Sequence, residues 1–143
     1  ADLYGKPRTV YIPTIEPAVA PPPPQMSYNL ENEYWKLPKN AGALAAAVAQ
    51  AAGGELSLRV DAPPYVTAEL ARGADRTLLH LVNYSFTKPV NDIAVSLQMP
   101  QPPREVVLHS PGHASRSLPF QAAGEAISFR VPQLNVYDLV VLR

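Results

Sequence analysis

Seventeen prolines in 143 residues, more than twice the average usage of about 5%, constrain this chain more than any other feature. Proline has no backbone N–H to give to a β-ladder, so it is kept out of central strands and collects at strand ends and turns. Here Pro63-Pro64, Pro89, Pro100, Pro102-Pro103, Pro111, Pro119 and Pro132 fall between short apolar runs. Such punctuation predicts many short strands.

The apolar runs between the prolines agree with that reading. Val66, Ala68 and Leu70 alternate with Thr67 and Glu69, the pattern of a half-buried strand. Arg72-Gly73-Ala74-Asp75 then makes a tight connection into residues 77–84, and the pair forms a candidate hairpin. Residues 77–84, Thr-Leu-Leu-His-Leu-Val-Asn-Tyr, are apolar on both sides of an extended chain, as a central strand is. Ile93, Val95, Leu97 and Met99 point one way, and Ala94, Ser96 and Gln98 the other. Further strands are expected at 56–60, 106–108, 118–120, 127–131 and 136–142, with a turn at Gly124. Short strands with turn signals every 8–12 residues or so predict an antiparallel β-sandwich of about seven strands.

The first third reads differently. Residues 8–12 form a short β-branched and aromatic strand stopped by Pro13. A long irregular segment follows to about residue 39, holding Pro21-Pro22-Pro23-Pro24 as a stiff polyproline spacer. Asn40 is placed to cap a helix over 41–52, with Gly53-Gly54 as its left-handed stop. Leu44, Val48 and either Ala47 or Ala51 make a narrow apolar stripe on it. One strand and one helix cannot bury their own apolar surface. The expected division is therefore 1–54, the terminal strand, loop and helix of an α/β domain, and 55–143, the sandwich. With Ala1 at its start in place of an initiator methionine, the chain is expected to be a piece of a longer one.

Twelve basic and twelve acidic residues give zero formal charge. No basic excess marks a nucleic-acid partner, and no polybasic block marks a membrane surface. The most apolar window, 43–52, is far shorter than the roughly 20 residues of a membrane-spanning helix. The absence of cysteine removes disulfide and thiolate chemistry.

Candidate chemistry is sparse. His109 and His113 stand four apart, a zinc-binding spacing on a helix, but Pro111-Gly112 between them makes a turn. They are weak metal candidates, and no cofactor is expected. His80 lies inside an apolar strand and is read as a buried imidazole bonded to backbone. Asp138, between Tyr137 and Leu139, is read as a structural hydrogen-bonding group. No nucleophile elbow and no catalytic residue is identified. Asn83-Tyr84-Ser85 fits the glycosylation sequon. Tyr28, Tyr34 and Trp35 are candidate sugar-stacking residues, with packing anchors as the plainer alternative.

Several segments, in order, carry a resemblance. Gly5-Lys6-Pro7-Arg8-Thr9-Val10-Tyr11-Ile12-Pro13 is similar to the "GKGRVVYFP" strand that ends the glutamine-amidotransferase-like domain of bacterial glycoside hydrolases, the β-galactosidase trimerisation domain. Leu78-Leu79-His80-Leu81-Val82-Asn83-Tyr84, then Pro89 and Ile93, resembles the "HLVNY…P…I" segment of the sandwich that follows it. Phe129 through Val141 resembles that module's closing "F-x-VP-x-L-x-x-Y-x-x-V". The proline-rich insertion departs from the pattern. The resemblance implies a non-catalytic C-terminal module that packs on an upstream catalytic domain, helps assembly (a homo-oligomer included) or shapes the rim of a sugar site. The family's catalytic acids lie in a barrel of which this chain holds nothing. The alternatives from other classes are a carbohydrate-binding module and, more weakly, a metal-dependent enzyme.

Overall fold

The computed structural model describes residues 9–21, 34, 36–54, 56–85 and 87–143. The chain divides into two compact units, Ala1–Leu56 and Ser57–Arg143. Arg8, most of the tetraproline, Tyr28 and Trp35 lie outside the described residues.

In the first unit the described part of the expected strand, residues 9–12, joins no ladder, and Tyr11 and Ile15 are exposed. A strand needs a neighbour to take its N–H and C=O groups, and the described residues of this unit supply none. The helix forms as α1 (Ala41–Ala51). Asn40, expected as its side-chain cap, makes no capping bond. Its amide is taken by the preceding segment: Oδ1 accepts the Glu16 N–H at 3.1 Å, and Nδ2 donates to the Thr14 carbonyl at 2.8 Å. The other end closes as expected. Gly53 N–H reaches the Gln50 carbonyl and Gly54 N–H the Ala49 carbonyl, with both glycines left-handed at φ 87° and 90°, the pairing of a Schellman stop. No residue of α1 is buried, and Val48 of the apolar stripe is exposed.

The second unit is mainly β. One antiparallel sheet has the order β1 (Leu58–Asp61), β4 (Val90–Gln98), β8 (Ala126–Leu134), β7 (Phe120–Ala123). The other runs β2 (Val66–Arg72), β3 (Thr77–Asn83), β9 (Tyr137–Leu142), β5 (Val106–His109), β6 (Arg116–Ser117). Their inner faces meet in one core. Leu79 and Leu81 of β3, Val140 and Leu142 of β9 and Leu108 of β5 oppose Ile93, Val95 and Leu97 of β4 and Ile127 and Val131 of β8. The expected hairpin forms between β2 and β3, with Arg72 opposite Thr77 and the Gly73 N–H on the Arg76 carbonyl.

Two details of this unit depart from the sequence reading. The strand expected at 118–120 is instead a crossing between sheets: Arg116–Ser117 pairs with β5, Leu118 plugs the core, and Phe120 opens β7 in the other sheet. Pro132 lies inside β8, where no N–H is available for β4, and β4 steps aside there. Asp92, the residue skipped between the Asn91–Gln133 and Ile93–Val131 pairs, turns left-handed at φ 57°. Its carboxylate takes the Arg130 guanidinium at 2.7 Å.

Asn83 closes the end of the sandwich and is 2% exposed. Nδ2 donates to the Lys88 carbonyl at 2.8 Å and the Asn135 carbonyl at 2.7 Å, while Oδ1 accepts the Ser85 N–H at 2.9 Å. With its amide fully engaged, Asn83 is no glycan acceptor, and the sequon match is without consequence in the folded chain. Asn83→Ala leaves two carbonyls and an N–H without their partner in a part-buried place. It is expected to cost about 2–3 kcal/mol, read as a lower urea midpoint at unchanged m-value.

Candidate functional site

The outward faces of the two sheets differ in chemistry, and that difference defines the candidate surfaces. On the five-stranded sheet, β3 turns Leu78, His80 and Val82 outward, and β9 turns Tyr137, Leu139 and Val141 outward. Register sets Leu78 beside Val141, and Val141 beside Val107 of β5. This face is apolar along its middle and half-buried. His80 sits on it with Nδ1 2.9 Å from the Tyr137 hydroxyl, the rings tilted at 34°. The buried imidazole bonded to backbone that the sequence predicts is instead half-buried on the outward face of β3, with a phenol as its partner.

The four-stranded sheet presents the opposite surface. Register aligns Arg59, Ser96, Ser128 and Gln121 in one row across β1, β4, β8 and β7. Asp61, Ala94 and Arg130 form the next row. In the first row the central strands carry only Ser96 and Ser128 between Arg59 and Gln121, and in the second Ala94 lies between Asp61 of β1 and Arg130 of β8. A sheet with small residues in the middle and long ones at the edges is a trough, and its volume is 660 Å³. At about 4.8 Å per strand the first row spans roughly 14 Å. Asp61 also lines a second hollow, of 600 Å³, with Tyr65, Pro63, Pro89, Asn91 and Asp92. Tyr65 is 40% exposed there.

The sequence candidates are scattered over other places. Tyr34 is half-buried, and its carbonyl accepts the Lys36 N–H at 3.0 Å. Its companions Tyr28 and Trp35 lie outside the described residues. His109 ends β5 and shares a 2.7 Å hydrogen bond with the Ser115 hydroxyl. His113 closes the turn Ser110-Pro111-Gly112-His113, where Gly112 has φ 77° and the His113 N–H meets the Ser110 carbonyl. Among the described residues no group of three potential ligands is assembled for a metal.

Asp138 has the most unusual surroundings of any titratable group described. It shares the inward side of β9 with Val140 and Leu142, is 2% exposed, and leaves Oδ2 buried without a partner. Burial raises its pKa, and the Ser110 hydroxyl with the charges of Arg116 and His113 offsets only part of that rise. Sequence reasoning saw a hydrogen-bonding aspartate but not its orphaned oxygen, which only the end of the sandwich creates.

No protein-family model matches this chain, and no curated protein sequence matches it. Solved structures do. Part of α-L-fucosidase isoenzyme 2 from Paenibacillus thiaminolyticus superposes with a TM-score of 0.59 at 25% identity, over 70% of this chain and 17% of that one. A cycloisomaltooligosaccharide glucanotransferase of Paenibacillus sp., solved with cycloisomaltoheptaose, superposes with a TM-score of 0.53 at 18% identity, over 60% of this chain and 16% of that one. The chain therefore spans about a sixth of the length of these neighbours, and the second likeness is one of fold alone.

The Asp138 environment has a consequence for pH. A carboxyl whose native pKa is raised binds its proton more tightly in the fold than in the unfolded chain, so its favourable contribution is present below the ordinary aspartate range and lost as pH rises through the raised value. Asp138→Asn removes the buried charge. At neutral pH it is expected to stabilise the chain by on the order of 1 kcal/mol. That gain should vanish in denaturant melts taken below the ordinary aspartate range.

Proposed function

We propose that this chain is a non-catalytic accessory module of a glycoside-hydrolase-like protein, one that packs on the catalytic part through the outward face of its five-stranded sheet. The observation that carries the reading is the second apolar face of that sheet. Leu78, Val82, Leu139 and Val141 repeat on the side of β3 and β9 that faces away from the core. A sheet apolar on both faces is what a layer covered on both sides requires, and an apolar patch on an antiparallel sheet is an interaction surface. Structural likeness to a segment of α-L-fucosidase isoenzyme 2 from Paenibacillus thiaminolyticus supports glycoside-hydrolase company for the module. Within this reading residues 55–143 are the C-terminal sandwich, and 1–54 the tail of the amidotransferase-like domain before it. The catalytic acids belong to the part of the parent protein that precedes both.

The experiment is complementation in trans. The chain, mixed with the separately produced remainder of its parent protein, is expected to raise the melting temperature of that remainder. Leu139→Lys sets a charge in the middle of the packing face. It is expected to weaken the association about 10-fold or more, as loss of a central interface anchor does. Hydrolysis of aryl glycosides by the chain alone, or complementation indifferent to Leu139→Lys, would overturn the assignment.

A further inference from the structure

The trough on the other sheet plays no part in that packing, and its chemistry is specific enough to name a ligand class. Its floor is Ala94, Ser96 and Ser128, small side chains that leave room above the sheet and offer two hydroxyls. Its margins are Arg59 and Asp61 on one side and Gln121 on the other, with Arg130 at one end. Charges balance locally. Arg130 is held by Asp92 at 2.7 Å, and Arg59 is matched in number by Asp61. Beyond Asp61 the surface continues into the second hollow, where the exposed ring of Tyr65 stands among prolines and Asn91.

These features eliminate most occupants. A nucleic acid needs a cationic track, and this lining is neutral. An added peptide strand docks along a sheet edge, whereas the floor of the trough is the outward face of β4 and β8, over the stretches where they pair with each other and with β1 and β7. A compact apolar ligand needs a deep enclosed pocket; this trough is an open sheet face on which Pro119 and Phe120 add apolar surface beside rows of hydroxyl, amide, guanidinium and carboxylate. What remains is an elongated, uncharged molecule with donors and acceptors along its length and apolar C–H patches for a ring such as Tyr65 to cover. We infer that the trough, continued past Asp61 to Tyr65, is a binding site for a neutral oligosaccharide. For the choice of a sugar among uncharged polyols the inference rests on the accessory glycoside-hydrolase reading, but the surface and residues are separate from the packing face. Ser96, Ser128 and Gln121 supply hydrogen bonds to sugar hydroxyls, Arg59 and Asp61 orient the chain, and Tyr65 stacks on a ring.

The test is a titration of the ¹⁵N-labelled 143-residue chain with malto-, isomalto-, cello- and xylohexaose at millimolar concentrations, followed by amide chemical shifts. At least one hexaose is expected to shift saturably the amides of Ala94, Ser96, Ser128 and Tyr65. Ser96→Leu fills the trough, and Tyr65→Ala removes the ring without touching the core. Each is expected to weaken binding by about 10-fold or more while leaving the melting temperature unchanged. The inference is overturned if no hexaose shifts these amides, if the shifts gather elsewhere, or if both variants bind as the parent does. Complementation through the five-stranded sheet is measured separately with Leu139→Lys, so either reading can fail while the other stands.

Discussion

The rest of this structure depends on the burial of one row of aliphatic side chains from each of two sheets against the other. Leu79, Leu81, Val140 and Leu142 are wholly out of water, and Ile93, Val95, Leu97, Ile127 and Val131 meet them with at most 2% exposure. Each such side chain contributes about 1.5–3 kcal/mol, the same order as the entropy lost in ordering its residue. The nine strands among the described residues can hold together on that footing only if nearly all of them share one core, and they do. Crossing segments such as Leu118 exist to keep the chain switching between the two layers.

Burial by itself would leave the register of β3 and β9 poorly determined, since both strands are apolar on either side. A slip of one residue exchanges the two faces of a strand. In β3 it would drive His80 into the core and expel Leu79 and Leu81. Polar residues therefore decide the register: His80 bonded to Tyr137 on the outside, and Asn83 clasping two loops at the end. Asp138 is the exception. It faces the core from β9 with one oxygen unsatisfied, a local cost accepted where the sheet ends and the turn with Ser110 and His113 folds over it.

The two outer surfaces follow from the same arithmetic of alternation. Where outward positions are Leu, Val and Tyr, the sheet asks for another layer. Where they are Ala and Ser flanked by Arg, Asp and Gln, it leaves an open polar trough. One module can thus be held in place by one face while the opposite face remains open to a soluble ligand.

Much of the fold was legible in the amino-acid order. The proline spacing, the alternation at 93–99, the two-sided run at 77–84 and the hairpin at 72–77 all describe short-range geometry, which side-chain period and turn chemistry determine locally. The Gly53-Gly54 stop was legible for the same reason. What misled was anything needing a distant partner: the ladderless residues 9–12, the Asn40 amide drawn to Thr14 and Glu16, the crossing at Leu118, and the phenol that replaced a backbone partner for His80. The trough was invisible in sequence. Arg59, Ser96, Ser128 and Gln121 are separated by 25 to 37 positions or by a hairpin, and only the pairing of β1, β4, β8 and β7 sets them side by side. Local order specified which face of each strand would be dry. The tertiary structure decided which faces became neighbours, because strand pairing is chosen by the shared core and not by anything the residues on the outer surface contribute.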